Sequence, residues 1–534
     1  MRKARRQNLD GGVSPYYVPT TVQRGHRLEL DASVPILLPH ELVHGIWCAS
    51  PQAFETRFVG DRGADGLREF WNRNIDDPWV LAHPSLADIR KKPEACIPVR
   101  IWGDDAPLGR SRSMMCVQFC SVMCSQVQVW MSRFLMMAIT LDSVVQGATL
   151  EPLYDAIAWS FEVLASGFMP HRDHLGQEFS STGVGAARRR MAGKPCCGGY
   201  LLLFAQFLGD WKWLKEELRL KSHYNVNQCC WMCFAEKRGC EPAMSAFNYA
   251  EDAGWCQTHR THEEYMAQPV RSALCRCPGW HLSTVKCDLM HLVLLGILQH
   301  AIGGVMWELC WIYKVWRVAR LPGTQWKSHA DSMLHIAYAE FREWATLEAQ
   351  QCSQPLFKVT RLSMDTLGDS ACFKSKAANT LKVGYWLAAK TKTLSEAAPH
   401  DRHLALCACM LWGYTEIFSI CREAGQWLSE EEAAQMDIAR QAALFSNHAL
   451  SAEMVASGVW RFPQKPKHHA TDHCLRLAAK SKLNPAWHWC FADEDFIGKM
   501  KKLGNKVPAT NFSLRLIERY VIRLFSKIRS GESA

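Results

Sequence analysis

The chain predicts an α/β fold with a Cys-rich segment and a largely α-helical insertion, on three observations. Between Ile97 and Leu208, short apolar runs rich in β-branched and aromatic residues surround one run of helical period. Ten of the 23 cysteines fall between Cys196 and Cys287. From residue 291 to 455, strand signals are few and helical spacing dominates. The expected division is a mixed N-terminal region (1–94), the first part of the core (95–215), a Cys-rich segment (216–290), a helical insertion (291–455), and the end of the core with a basic C-terminal helix (456–534).

Taken in order, residues 1–90 are rich in Pro, Trp and Arg and show no clear period. Ile97–Trp102 reads as a short strand that stops at Gly103-Asp104-Asp105. Met114–Met123 is a second apolar run, and Val127–Ile139 a third that fits strand or helix. In Pro152–Ala165 the spacing of Leu153, Ile157, Phe161 and Leu164 is helical. A Gly- and Arg-rich loop is expected over Gly183–Lys194. Gly199–Leu208 is apolar on both faces, the mark of a fully buried strand, and ends at Gly209-Asp210. The run Leu292–Trp307 is shorter than the roughly 20 residues that span a bilayer and reads as a buried helix. Ser513–Ile528 is amphipathic. The order is therefore strand, strand, strand, helix, strand, with an acid closing the first and fourth strands. That is a ribonuclease H-like order.

The 534 residues allow two to four domains. At 48% hydrophobic and 21% charged, the composition is that of a globular chain. A net charge of +10 is compatible with a polyanionic partner. The start, Met1-Arg2-Lys3-Ala4-Arg5-Arg6, is basic with no apolar stretch behind it, so a secretory signal is not expected. With cysteines placed unevenly, this reads as a reduced, intracellular chain, and the basic tract as a nuclear address.

The acids carry the chemistry. Asp104 and Asp210 each follow a strand, and Glu494 lies in the patch Asp493-Glu494-Asp495. Taken singly, an Asp after a strand is a turn or N-cap residue, and Glu494 a first-turn acid favoured by the helix dipole. Taken together they are hard oxygen donors of the kind Mg²⁺ prefers. Two divalent ions roughly 4 Å apart activate a water or a 3′-hydroxyl for in-line displacement at phosphorus.

Five motifs in one order then resemble a family. Trp102-Gly103-Asp104-Asp105-Ala106-Pro107 resembles the "TDGfnP" motif of CACTA (En/Spm-like) and related cut-and-paste transposases. Gly209-Asp210, followed by Trp211-Lys212-Trp213-Leu214, is similar to their second-acid motif. Cys230-Trp231-Met232-Cys233 stands where they carry Cys-x-x-Cys. Asp288-Leu289-Met290-His291 with Leu294-Leu295-Gly296 resembles "DPMHgvllG", and Glu494-Asp495-Phe496-Ile497-Gly498 resembles "FEsFNG". The likeness spans roughly residues 95–500. It departs from the pattern at Asp105, where glycine is usual, and at Leu289, where proline is usual. It implies a DDE-type DNA transposase with Asp104, Asp210 and Glu494 binding two Mg²⁺ or Mn²⁺ ions. It also implies transposon ends and target DNA as partners, and self-association; no membrane partner is expected, because the longest apolar run is too short to span a bilayer. In the implied reaction water attacks first and the freed 3′-hydroxyl second. The alternative is a catalytically inactive, domesticated nucleic-acid-binding derivative.

Asp288 and His291 are three residues apart and share a face if helical. Their role is open: a carboxylate orienting an imidazole, or an N-cap and a core histidine. Cys230 and Cys233 form the chain's one Cys-x-x-Cys, a spacing that suits structural Zn²⁺. Cys256, His259, Cys275, Cys277 and Cys287 are candidates for the second pair. His40-Glu41-Leu42-Val43-His44 matches a zinc-protease pattern, a remote third reading. Pro39 before it and Gly45 after it argue for a short packed helix instead. Arg188, Arg189 and Arg190, Lys499, Lys501 and Lys502, and Arg515, Arg519, Arg523 and Lys527 are candidate phosphate contacts or solvated faces. Lys465, Lys467, His468, His469 and His473 form one more basic cluster with the same two readings.

Overall fold

The computed structural model describes residues 11–109, 111–124 and 128–530. The basic tract Met1–Arg6 and the start of the Val127–Ile139 run lie outside them. The principal elements, in chain order, are β1 (Tyr16–Arg24), β2 (Arg27–Ile36), α1 (Pro39–Ala49), α2 (Gly63–Asn74), β3 (Cys96–Leu108), β4 (Arg112–Ser121), β5 (Phe134–Thr140), α3 (Leu150–Ser166), α4 (Gly183–Met191), β6 (Leu201–Leu208) and α5 (Trp211–Glu217). They continue with α6 (Leu298–Trp311), α7 (Trp326–Leu347), α8 (Ala377–Ala397), α9 (Arg402–Glu423), α10 (Glu430–Ala456), α11 (Pro466–Ser481), α12 (Phe491–Gly504) and α13 (Phe512–Arg529). The chain forms two compact units. The first is Met1–Lys221, Thr261–Lys286 and Cys490–Ala534, and the second is Ser222–Arg260 and Cys287–Trp489.

The first unit is built on a mixed four-stranded sheet in the order β5-β4-β3-β6. β3, β4 and β5 run antiparallel in sequence, and β6 returns parallel to β3. A parallel return needs a crossover, which α3 supplies, burying Leu153, Ile157, Phe161 and Leu164 as their spacing predicts. β1 and β2 form a separate antiparallel hairpin. α12 packs on β3, α13 on β5 and α3 on β6, and β6 is buried along almost its whole length.

Four expectations change here. The first strand does not stop at Gly103. It runs on to Leu108, because β4 offers backbone partners throughout: Asp104 faces Cys116, Asp105 faces Met115, and the hairpin turns only after Gly109 (φ 64°). The loop expected over Gly183–Lys194 is helical from Gly183 to Met191, where Ala186, Ala187 and three arginines are good helix formers. Gly45 does not end α1. It lies inside the helix, buried, where an added Cβ would sit 2.8 Å from Val13. The ambiguous third run resolves into a helical turn, Val129–Ser132, and then β5.

The second unit is helical, with α6 to α11 packed around buried leucine, alanine and aromatic side chains. The Cys-rich stretch is divided: 222–260 belongs to this unit and 261–286 to the first. The apolar run after Asp288 is longer than expected. A π-helical turn, Met290–Ile297, leads into α6 through non-helical Leu295 and Gly296. Met290–Trp311 and Arg402–Glu423 are long and apolar enough to cross a bilayer, but 83% and 61% of their apolar windows are buried, as in core helices.

Candidate functional site

In the first unit, the register of β3 with β6 places Trp102 beside Leu208; Gly209-Asp210 then leaves β6, while Gly103-Asp104 continues within β3, paired to β4. Both glycines are required by the same ring. A Cβ on Gly103 would overlap the Trp213 indole, and one on Gly209 would lie 2.6 Å from it. Trp213 also stacks on Phe207, with centroids 5.1 Å apart. Asp210 is the N-cap of α5, its Oδ1 accepting from the Trp213 N–H at 2.6 Å. Asp104 Oδ1 accepts from the Asp105 N–H at 2.7 Å, and Asp105 pairs with Lys212 at 3.3 Å.

The acidic patch of α12 separates into three roles. Asp493 is fully buried and accepts from Arg100 at 2.9 Å, Gln118 at 2.8 Å and Arg133 at 3.3 Å. It anchors the helix to β3, β4 and the start of β5. Asp495 is exposed and pairs with Lys499 one turn on. Glu494 is the half-buried member, and one of its carboxylate oxygens lies within 4.8 Å of one of Asp104. Two acids at opposite ends of the chain are thereby brought together. Asp210 follows β6, the strand beside β3, with one oxygen engaged in capping, and is not among the donors gathered with Asp104 and Glu494.

Behind these acids, Glu217 accepts from the Tyr154 hydroxyl at 2.6 Å. Burial pushes its carboxyl up to about 7, opposed by the Tyr154 hydrogen bond and reinforced by the charges of Asp105, Glu216 and Glu151.

In the second unit, Asp288 is buried and caps the π-helical turn, accepting from the Met290 N–H at 2.9 Å. Its Oδ2 lies 2.5 Å from His291 Nδ1. The carboxylate therefore orients the imidazole and also accepts from the backbone of the turn, and His291 is half-buried rather than a core residue.

Cys230 and Cys233 find their partners in the same unit. One donor atom each from Cys230, Cys233, His469 and His473 lies within 4.8 Å of the others. The two histidines are one turn apart on α11, and Cys233 Sγ is 3.3 Å from His469 Nε2. The backbone N–H groups of Met232 and Ala235 point at the two sulfurs, and Arg260 ties the carbonyls of Cys230 and Cys233 at 3.0 Å. The hydrogen bond from Cys230 holds the Cys233 thiol below the ordinary range. Trp255 closes the cluster, 4.5 Å from His469 and 4.7 Å from His473. His469 Nδ1 and His473 Nε2 are buried with no hydrogen-bond partner. Two thiols and two imidazoles fit a tetrahedral zinc centre. The donors that the fold gathers with Cys230 and Cys233 are His469 and His473 rather than Cys256, His259, Cys275, Cys277 or Cys287. The signal missed was the His-x-x-x-His spacing, read in the sequence as part of a basic cluster.

Part of that cluster is turned inward. His468 and His469 are buried, burial drives His468 down to about 3, and Lys467 donates to the His291 carbonyl at 2.6 Å. Other expected phosphate contacts are also engaged within the chain. Arg188 makes a bidentate pair with Glu41 at 2.5 and 3.0 Å, and Arg189 approaches Glu178 at 3.4 Å. Arg515 pairs with Glu518 at 2.9 Å, Arg519 reaches the Leu503 carbonyl at 3.4 Å, and Arg523 lies over the Trp130 ring. Arg190 and Lys502 remain exposed and Lys501 half-exposed.

The residues of the zinc-protease pattern are engaged by other partners. His40 is buried, 2.8 Å from Ser160 Oγ, and burial lowers it to about 3. Glu41 is committed to Arg188, so His40, Glu41 and His44 do not act as a set. No protein-family model matches this chain, and no curated protein was found to match it.

Proposed function

We propose that this chain is a DDE transposase-like protein that cleaves and joins DNA strands with divalent metal, using Asp104, Asp210 and Glu494 on a ribonuclease H-like core. The observation that carries the reading is the approach of Asp104 and Glu494 to within 4.8 Å, from β3 and from a helix at the far end of the chain. The strand order, three antiparallel strands and a parallel fourth beside the first, supports it. So does the placement of Asp104 in β3 and of Asp210 just after the adjacent β6.

The donor set fits the metal: the three carboxylates are hard oxygen ligands, each half-buried. Bound Mg²⁺ or Mn²⁺ would supply Lewis-acid activation of the attacking oxygen and stabilisation of the leaving one. The chain's own work is to hold the acids. Trp213 packs against Gly103 in β3 and Gly209 after β6, and the buried Asp493–Arg100–Arg133 cluster fixes the helix that presents Glu494. Cys230, Cys233, His469 and His473 are proposed to hold a structural Zn²⁺ in the second unit.

One observation favours the inactive, nucleic-acid-binding alternative: Asp210 Oδ1 is already engaged as an N-cap. The deciding experiment is Mn²⁺-dependent nicking of plasmid DNA by the parent and by Asp104→Ala, Asp210→Ala and Glu494→Ala variants. Nicking by the parent that all three variants lose supports the enzyme. A parent that neither nicks nor binds Mn²⁺ by calorimetry refutes it in favour of the alternative.

A further inference from the structure

We propose that His44, Cys196 and Cys197 form a separate soft-metal site in the first unit, of the kind that takes Zn²⁺, with Cys48 at its outer edge. One donor atom from each of the first three residues lies within 4.8 Å of the others. Adjacent residues on an extended chain point to opposite sides. Here the backbone defeats that alternation. Cys197 is left-handed (φ 53°) and is followed by Gly198 (φ 65°) and Gly199 (φ 91°), which turns both sulfurs to one side, 3.1 Å apart. A left-handed non-glycine is costly and persists where surrounding structure holds it, commonly at ligand sites.

The imidazole is fixed to the same turn. His44 Nδ1 accepts from the Cys197 N–H at 3.2 Å, and Cys48, one helical turn on, places its sulfur 3.3 Å from His44 Nε2. His44 and Cys48 line a cavity of about 590 Å³ whose other walls include Met169, Phe179 and Val184. An ion held by the two buried thiolates and His44 would meet either Cys48 or solvent from that cavity as its fourth ligand. Soft sulfur with one imidazole selects Zn²⁺ or Cu⁺ over Mg²⁺. Two cysteines packed as ordinary small core residues require neither the strained turn nor the imidazole aimed at it.

The test uses the full chain, prepared with zinc and freed of loose metal, with zinc counted by plasma mass spectrometry. Cys196→Ser with Cys197→Ser should lower the count by one ion per chain, and His44→Gln should weaken retention during dialysis. Independently, native wild-type protein is treated with N-ethylmaleimide with and without a chelator, then mapped by peptide mass spectrometry. Labelling of Cys196 and Cys197 that rises several-fold with chelator supports the site, and needs no variant to fold. An unchanged zinc count in a folded double variant overturns it. So does labelling indifferent to chelator, or a Cys196–Cys197 peptide two mass units light, which would mean a disulfide.

Discussion

Gly103 and Trp213 are packed so closely that the indole occupies the space a Cβ on Gly103 would need. The same ring leaves little room at Gly209. One tryptophan therefore packs against both glycines that precede Asp104 and Asp210, one inside β3 and one just after β6. Gly103→Ala should push Trp213 and α5 outward, costing on the order of 1–3 kcal/mol, as overpacking does. Urea denaturation followed by tryptophan fluorescence checks this. A variant as stable as the parent, with unchanged fluorescence, would contradict the wedge.

Asp493 and Glu494 are neighbours with opposite expected phenotypes. Asp493→Ala strands two buried arginines and should cost about 3–5 kcal/mol. Glu494→Gln removes a half-buried charge, should change stability by less than about 1 kcal/mol, and should abolish Mn²⁺-dependent nicking. Thermal melts beside nicking assays separate the two. Activity retained in Glu494→Gln would remove this residue from the proposed site.

Glu217 sets a pH dependence of known sign. Its carboxyl is raised from 4.5 unfolded to about 7 folded, so the native state holds a proton that the unfolded state has released. Its penalty grows as pH rises from about 4.5 and is complete above about 7, at most about 3 kcal/mol. Glu217→Gln keeps an acceptor for Tyr154 and removes the charge. The variant should gain stability over the parent at pH 8 and none at pH 4. Equal melting shifts at both values would mean that the carboxyl is not raised.

The Cys2His2 cluster should make the second unit metal-dependent. Removing zinc with a chelator, or changing His469 and His473 to Ala, should lower its melting temperature. Cobalt substitution should give the thiolate charge-transfer absorption of a tetrahedral S2N2 site. Unaltered melting after verified metal removal would refute a structural role.

Much was legible locally. Leu153, Ile157, Phe161 and Leu164 announced α3 through their spacing, and the unbroken apolar run to Leu208 announced a strand buried on both faces, because period and burial are written into adjacent residues. The glycine before each aspartate marked a turn or a close approach without naming what approaches. Arg188 looked like a free cation because its partner, Glu41, lies far away in the chain.

By itself, then, the sequence determined the first and last strands of the sheet between Ile97 and Leu208, the crossover helix between them, and the residue classes able to bind metal, but not the elements of residues 1–90 or the helix at Gly183–Met191. Tertiary structure decided the assignments that depend on distant partners. It separated Glu494 from Asp493 and Asp495, since only burial against Arg100 and Arg133 distinguishes three adjacent acids. It joined Cys230 and Cys233 to His469 and His473, and carried β3 past Asp104 because β4 was there to pair with it. Backbone period acts between neighbours, whereas ion pairing, ligand convergence and strand length are settled by whatever the fold brings alongside.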